Sequence, residues 1–397
     1  MTDFQKKATL PPDESANTRV FFAGRQTPGV VTFARQPVLC IGMAQTSFLS
    51  DITTRRTEPD AVLDVSDGGR VLVISDLHMG TGTRDDLAHN GDLLIALLKN
   101  HYFERGWHLV LNGDIEDIHR HSLDRIEERW AELCRVFGLF AGQNRLFKLV
   151  GNHDEGLLLK KTYRFKLHRM IRIETGVVPA YVYHGHQPSK VYGAFNKLMG
   201  LGIRCFMSPF GIRNISSGRS PFRRFTVEKA AYDFSLENNC ISIIGHTHRP
   251  LFESLGRFEY VRFEIENLCR RYPFSSGEEQ AKIETEVKSL RRELGKLKRK
   301  ERRDMLRQSQ SLYGDEMPVP CLFNSGCAIG KKGLNAIELS ARDISLVYWF
   351  VEGKSKKFVQ RGGYEIEKLN GGSYCRTVLN SERLDSVMAR IKLLGNG

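Results

Sequence analysis

The chain has 397 residues, 41% of them hydrophobic and 26% charged, enough for a full core in two domains or in one large domain with insertions. No apolar run approaches the ~20 residues of a membrane span, Met1 to Pro12 lacks the apolar core of a secretory signal, and the eight cysteines contain no C-x-x-C pair, which leaves a zinc ribbon or thioredoxin-like site without support. The net charge of +13 favours anionic partners, whether phosphorylated metabolites, nucleic acid or lipid headgroups.

Residues 1–65 mix Thr, Pro, Gly and Arg with short apolar pieces and read as an extension of low order or an edge addition. From residue 66 a theme repeats, in which an apolar β-type run ends in polar residues and a helical stretch often follows. Arg70-Val71-Leu72-Val73-Ile74-Ser75 leads to Asp76-Leu77-His78, and His108-Leu109-Val110-Leu111-Asn112 leads to Gly113-Asp114. Leu146-Phe147-Lys148-Leu149-Val150 leads to Gly151-Asn152-His153-Asp154, and Ala180-Tyr181-Val182-Tyr183 leads to His184-Gly185-His186. Cys240-Ile241-Ser242-Ile243-Ile244 leads to Gly245-His246-Thr247-His248. Near-continuous Val/Ile/Leu runs suit strands buried on both faces, hence a layered α/β fold. In such folds ligands bind where loops leave the carboxyl ends of the strands, which is where all five polar segments fall.

Helices are predicted over 85–99 and 123–140 from helical spacing of residues such as Leu94, Leu97 and Leu98. An insertion at 187–227 carries seven basic residues and no acidic one, with five Phe interleaved; it reads either as a cap gripping an anionic or lipid-bearing substrate or as a helical excursion packed on the core. A second insertion, 256–316, contains Ile283, Val287, Leu290, Leu294 and Leu297 at alternating spacings of four and three. That is a short coiled-coil seam, suited to a partner or a homodimer. Alternating residues at 322–327, 336–339 and 344–349 predict the antiparallel strands of a closing sheet. The core domain is thus read as 66–353, followed by an extension over 354–397 with an amphipathic helix at 381–394.

Carboxylate, imidazole and amide side chains together suit Mn²⁺, Fe²⁺ or Zn²⁺ better than Mg²⁺ or Ca²⁺. Asp76 and His78, two apart on an extended segment, can chelate one ion. Asp114 can bridge two ions, Asn152 offers a neutral amide oxygen, and His184, His246 and His248 complete the set. Two such ions would share a hydroxide, hold phosphate oxygens and let the hydroxide attack phosphorus in line. His153 is placed to protonate the leaving oxygen, with Asp154 or another carboxylate to orient it, and Asp117 and Asp86 as outer partners. His186 is read as an outer contact, a substrate contact or a solvated side chain, and His119 and His121 as a solvated helix start. Gly326-Cys327-Ala328-Ile329-Gly330-Lys331 is not a phosphate loop, because its spacing is short and no Ser/Thr follows the lysine.

The set D-x-H, G-D-x-x-D, G-N-H-D, H and G-H-x-H, met by Asp76/His78, Asp114/Asp117, Asn152/His153/Asp154, His184 and His246/His248, resembles the calcineurin-like metallophosphoesterase superfamily. The resemblance covers about 68–351 and implies a four-layer α/β/β/α sandwich with helical insertions, hydrolysing a phosphate mono- or diester. It implies one metal on Asp76, His78, Asp114 and His248, another on Asp114, Asn152, His184 and His246, and His153 as the catalytic histidine. Gly245-His246-Thr247-His248-Arg249-Pro250 and Asp76-Leu77-His78 also look like the bacterial UDP-2,3-diacylglucosamine pyrophosphohydrolases. The chain departs from these in His153, where they usually carry Arg, and in His186, where they usually carry an acid. The expectations are a cytoplasmic, manganese-dependent hydrolase, with peripheral-membrane or nucleic-acid contact through the basic insertions as alternatives.

Overall fold

The computed structural model describes residues 59–186, 221–255, 257–305, 318–354 and 364–395. The strands in chain order are β1 (Ala61–Asp64), β2 (Arg70–Ile74), β3 (His108–Asn112), β4 (Leu146–Leu149), β5 (Leu167–His168), β6 (Met170–Glu174), β7 (Ala180–Tyr183), β8 (Ile241–Ile244), β9 (Leu322–Asn324), β10 (Gly333–Ser340), β11 (Asp343–Val351), β12 (Glu367–Lys368) and β13 (Tyr374–Arg383). They form an eight-stranded sheet in the order β12-β13-β11-β10-β2-β3-β4-β5 and a five-stranded sheet in the order β1-β6-β7-β8-β9. The segment β2 to β5 is parallel, and β10, β11 and β13 close it antiparallel, as the alternating sequence predicts.

Side chains alternate across a strand, so each central strand feeds two cores. Val71, Val73 and Val110 join Ile171, Ile173, Val182, Ile241 and Ile243 in the core between the sheets. Leu72, Ile74, Leu109 and Leu111 point the other way, onto α1 (Gly91–Leu97), α2 (Leu123–Arg129) and α3 (Ala131–Gly142). On the outer face of the small sheet lies α4 (Pro221–Glu237): Phe234 packs edge-on against Tyr181 and Tyr183, and Ser235 Oγ donates to Ser242 Oγ at 2.7 Å. The result is two sheets flanked by helices.

Three helix boundaries differ from the sequence reading. Asp85 is extended and residues 86–90 are turns, because Asn90 donates its amide to the carbonyls of Ala328 (2.6 Å) and Gly330 (2.5 Å) and Asp85 accepts the Gly80 N–H. The helix starts at Gly91 and runs past Leu97 through a π-helical turn to Phe103, which buries Leu98 and Tyr102. The 123–140 helix is split at Trp130, whose backbone leaves the helical region (φ −109°, ψ 30°) while its indole N–H donates to Gly80 O at 3.2 Å. The last helix, α7 (Leu384–Leu394), begins three residues late because Ser381, Glu382 and Arg383 pair with Ser345, Ile344 and Asp343 in the large sheet.

Of the segments read as extensions, residues 1–58 lie outside the described residues, while Ala61–Asp64 forms an edge strand parallel to β6. The segment after 354 supplies β12, β13 and α7, so the large sheet is completed from it. The basic insertion over 187–220 lies outside the described residues. The second insertion is a helical hairpin of α5 (Arg257–Arg271) and α6 (Gly277–Met305). Its seam finds a partner within the chain: Ile283 and Leu290, flanked by Val287, Leu294 and Leu297, pack on Val261, Leu268, Tyr260 and Ile265 of α5. An amphipathic stripe needs one apolar partner, and the preceding helix is the nearest. The side chains at 298–305, which hold much of the basic run, lie outside the described set. Because this small core is separate from the other two, Leu290→Ala should cost about 2 kcal/mol locally. Amide exchange would then rise over 257–297 and stay unchanged in β2 and β3.

Candidate metal centre

The five polar segments do converge, and backbone pairing brings them together. Beyond the strand ends the parallel ladder continues between 76–79 and 113–116: Asp76 N donates to Gly113 O (3.1 Å), His78 N to Asp114 O (3.0 Å) and Met79 N to Ile115 O (2.8 Å). From the small sheet, Gly245 N donates to His184 O (3.1 Å) and His246 N to Asp76 Oδ2 (3.0 Å). His153 N donates to Asp114 Oδ1 at 2.8 Å, which joins the fourth loop. Two glycines permit this approach. A Cβ on Gly245 would stand 2.8 Å from Asp76 Oδ2, and one on Gly113 (φ +77°) would stand 2.5 Å from His184 Nδ1.

Ten non-glycine residues among those described have positive φ, and five are Asp76 (54°), His78 (48°), Asp114 (53°), His246 (63°) and His248 (55°). Left-handed backbone is uncommon for residues with a Cβ and persists where the surroundings impose it. Its concentration on these five residues marks one constrained site.

One atom from each of Asp76, His78, Asp114 and His248 lies within 4.8 Å of the others, and the same holds for Asp114, His184 and His246. Asp114 belongs to both groups. His248 Nε2 lies 3.0 Å from Asp76 Oδ1, His78 Nε2 3.8 Å from Asp114 Oδ2, and His184 Nε2 3.3 Å from the same oxygen. The first group holds the four residues assigned above to one ion and the second three of the four assigned to the other. The fourth, Asn152, presents a buried amide oxygen with no hydrogen-bond partner. Leaving such an atom unpaired costs roughly 1–3 kcal/mol, so a donor set of this chemistry fits divalent cations. Burial pushes His78 down to about 4 and His246 down to about 3, whereas for His184 burial is outweighed by the Asp114 carboxylate, which holds it up at about 9.

His184 is aimed by its other nitrogen, since Nδ1 donates to the carbonyl of Asn112 at 2.7 Å. Asn112 is itself fully buried and donates its amide to Tyr183 O (3.1 Å), tying β3 to β7. Asn324 does the same for the fifth loop, donating to Gly245 O (2.9 Å) and Thr247 Oγ1 (3.0 Å), and Glu228 on α4 accepts from Thr247 Oγ1 (3.0 Å) and Arg249 (2.6 Å). Ser75 Oγ donates to Asp76 Oδ2 at 2.5 Å. Sequence reasoning passed over these supports; the one signal for them was a polar residue closing or interrupting an apolar strand.

His153 lies edge-on to His78, ring centres 4.7 Å apart, and its Nδ1 donates to Asp117 Oδ1 at 3.1 Å. Burial opposes its charge, but the carboxylates of Asp114 and Asp117 outweigh this and hold its pKa up at about 9. Asp117 is gripped from behind by Arg120, which also reaches Asp86 at 2.6 Å. Asp154, expected to orient His153 or act beside it, does neither. Its carboxylate faces away and accepts the N–H groups of Gly151 (2.6 Å) and Ile115 (2.9 Å) and the Lys148 ammonium (3.1 Å). The local reason is that Asp154 closes the turn of its own loop, while Asp117 arrives from the neighbouring loop on the imidazole side. His186 sits behind the centre, its ring 5.4 Å from His184 and 6.4 Å from His246, outside both groups. His119 stands 5.0 Å from the His153 ring and so belongs to the rim of the site.

A family model for calcineurin-like phosphoesterases matches residues 69–272, just over half of the chain. The chain belongs to the calcineurin-like phosphoesterase family. It is accordingly a metal-dependent phosphoric ester hydrolase. Among solved structures it is similar to Vacuolar Protein Sorting 29 from Cryptosporidium parvum, at 10% identity over 72% of this chain and 93% of that one, with a TM-score of 0.30. It is also similar to YfcE, a phosphoesterase from E. coli, at 11% identity over 70% of this chain and 91% of that one, with a TM-score of 0.29. No curated protein matches the sequence. The matched span of this phosphoesterase contains all five polar segments and ends within the helical hairpin.

Proposed function

We propose that the protein hydrolyses a phosphate mono- or diester with two divalent cations, manganese first and Fe²⁺ or Zn²⁺ as alternatives. The observation that carries this is the place of Asp114 in both side-chain groups, with the orphaned amide oxygen of Asn152 nearby. When bound, the cations would acidify water and neutralise charge on the phosphoryl oxygens. The chain's own residues supply the remainder. Asp76, His78 and His248 hold one side of Asp114, and Asn152, His184 and His246 hold the other. His153, held on Asp117 through Nδ1, gives a proton to the leaving oxygen. Asp117 holds the ring in the tautomer this requires and stabilises its charge.

Among the described residues no helix is long and apolar enough to cross a membrane. The resemblance of 245–250 to pyrophosphohydrolases makes a sugar pyrophosphate or lipid-linked pyrophosphate the alternative substrate class. A panel of nucleotides, sugar pyrophosphates, phosphopeptides and lipid headgroups, assayed with manganese, separates it from a simple ester.

Chelation tests the metal requirement directly. Treatment with EDTA should abolish hydrolysis of an aryl phosphate and lower the melting temperature, and added Mn²⁺ should restore both. Saturation at a hundred times Kd stabilises the folded chain by about 2.7 kcal/mol per site. Undiminished activity after exhaustive chelation, or fewer than one ion per chain after gentle purification, contradicts the proposal.

A further inference from the structure

Lys148 breaks the pattern of its strand. β4 is a buried parallel strand, and the residues in register with Lys148 are Leu111 on β3 and Leu167 on β5. Such a position ordinarily carries an aliphatic side chain. Lys148 is nevertheless 0% exposed, and its ammonium lies 2.7 Å from Glu116 Oε2 and 3.1 Å from Asp154 Oδ2. Glu116 Oε1 in turn accepts the Tyr163 hydroxyl at 2.7 Å. Burial opposes the charge of the lysine, and Asp154 and Glu116 together outweigh it, so the group stays an ammonium.

The two carboxylates belong to different loops of the metal centre. Glu116 sits two residues beyond Asp114 and one before Asp117, and Asp154 directly follows His153. The ammonium therefore joins the loop that carries the shared carboxylate to the loop that carries Asn152 and His153. Stability gives no reason for this choice. A buried ion cluster loses several kcal/mol per ion in desolvation, and an apolar residue of similar volume is often as stable or more so.

We propose that Lys148 is a positioning residue for hydrolysis. It sets the spacing between the Asp114–Asp117 loop and the Asn152–His153 loop, and so holds Asn152 at the cation shared by Asp114 and His153 against Asp117. The inference rests on the phosphoesterase reading above.

The test compares wild type, Lys148→Met and the double variant Lys148→Met/Glu116→Gln. The single change leaves two buried carboxylates facing each other and lowers the melting temperature. The double change removes one of those charges along with the ammonium, and the amide oxygen of the introduced glutamine can still accept the Tyr163 hydroxyl, so the fold is kept. In the folded double variant, calorimetry with Mn²⁺ should show one of the two ions bound about 10–100-fold more weakly, the usual effect of losing an outer partner of a metal ligand. In saturating Mn²⁺, kcat should fall by a similar factor with KM unchanged. A double variant with wild-type Mn²⁺ affinity and wild-type kcat overturns the proposal, whatever its melting temperature, because a merely structural lysine would move stability alone. Failure of the underlying reading looks different: wild type itself would then show no Mn²⁺ binding and no Mn²⁺-dependent hydrolysis.

Discussion

Asp114→Asn will reduce kcat/KM toward an aryl phosphate by about 10³-fold in manganese-replete buffer, or about 4 kcal/mol of transition-state stabilisation. The substitution keeps the size of the side chain and removes its charge. Asp114 is the carboxylate common to both side-chain groups and also accepts the His153 N–H, so no neighbour can take its place. Metal analysis should fall from two ions per chain toward one or fewer. Circular dichroism should be unchanged, because the carbonyl oxygen of asparagine can still accept the His153 backbone. Full activity in this variant would show that the reacting phosphate lies elsewhere.

His153→Gln is expected to lower kcat by about 10²–10⁴-fold, the range for loss of a positioned acid, while KM and metal content stay near wild type. The size of the loss should depend on the leaving group. A nitrophenolate departs without help, so a nitrophenyl ester should suffer least and an alkyl ester most. Asp117→Asn should move kcat in the same direction by a smaller factor, since Asp117 holds the imidazole. Measuring kcat for an aryl and an alkyl ester in each variant checks this. An equal loss on both esters would remove proton donation from the role of His153 and leave charge stabilisation.

The strands and the loops that follow them were legible because a parallel strand buried on both faces reads as a near-continuous apolar run. Each of the five such runs ended at a ligand-type residue, and the structure gathers those endings at one place. What sequence could not supply was which carboxylate meets which imidazole. Asp154 and Asp117 are both near His153 by different measures, one in sequence and one in space, and only the pairing of the 76–79 and 113–116 segments decides in favour of Asp117. The heptad-like spacing in α6 was read correctly as a seam, but spacing carries no information about the partner, and a helix fifteen residues long lay just upstream. The helix starts at 85 and 381 failed for a related reason. Apolar periodicity continues through residues whose backbone groups are taken by distant partners, Ala328 and Gly330 in one case and β11 in the other.

Holding five L-residues in left-handed backbone costs the chain about 1 kcal/mol each, which together is comparable to much of an ordinary domain's net stability. Coordination is the event that repays this debt, so cellular abundance of the protein should track the supply of the metal it binds. Starved cells would degrade the chain faster than replete ones at equal rates of synthesis.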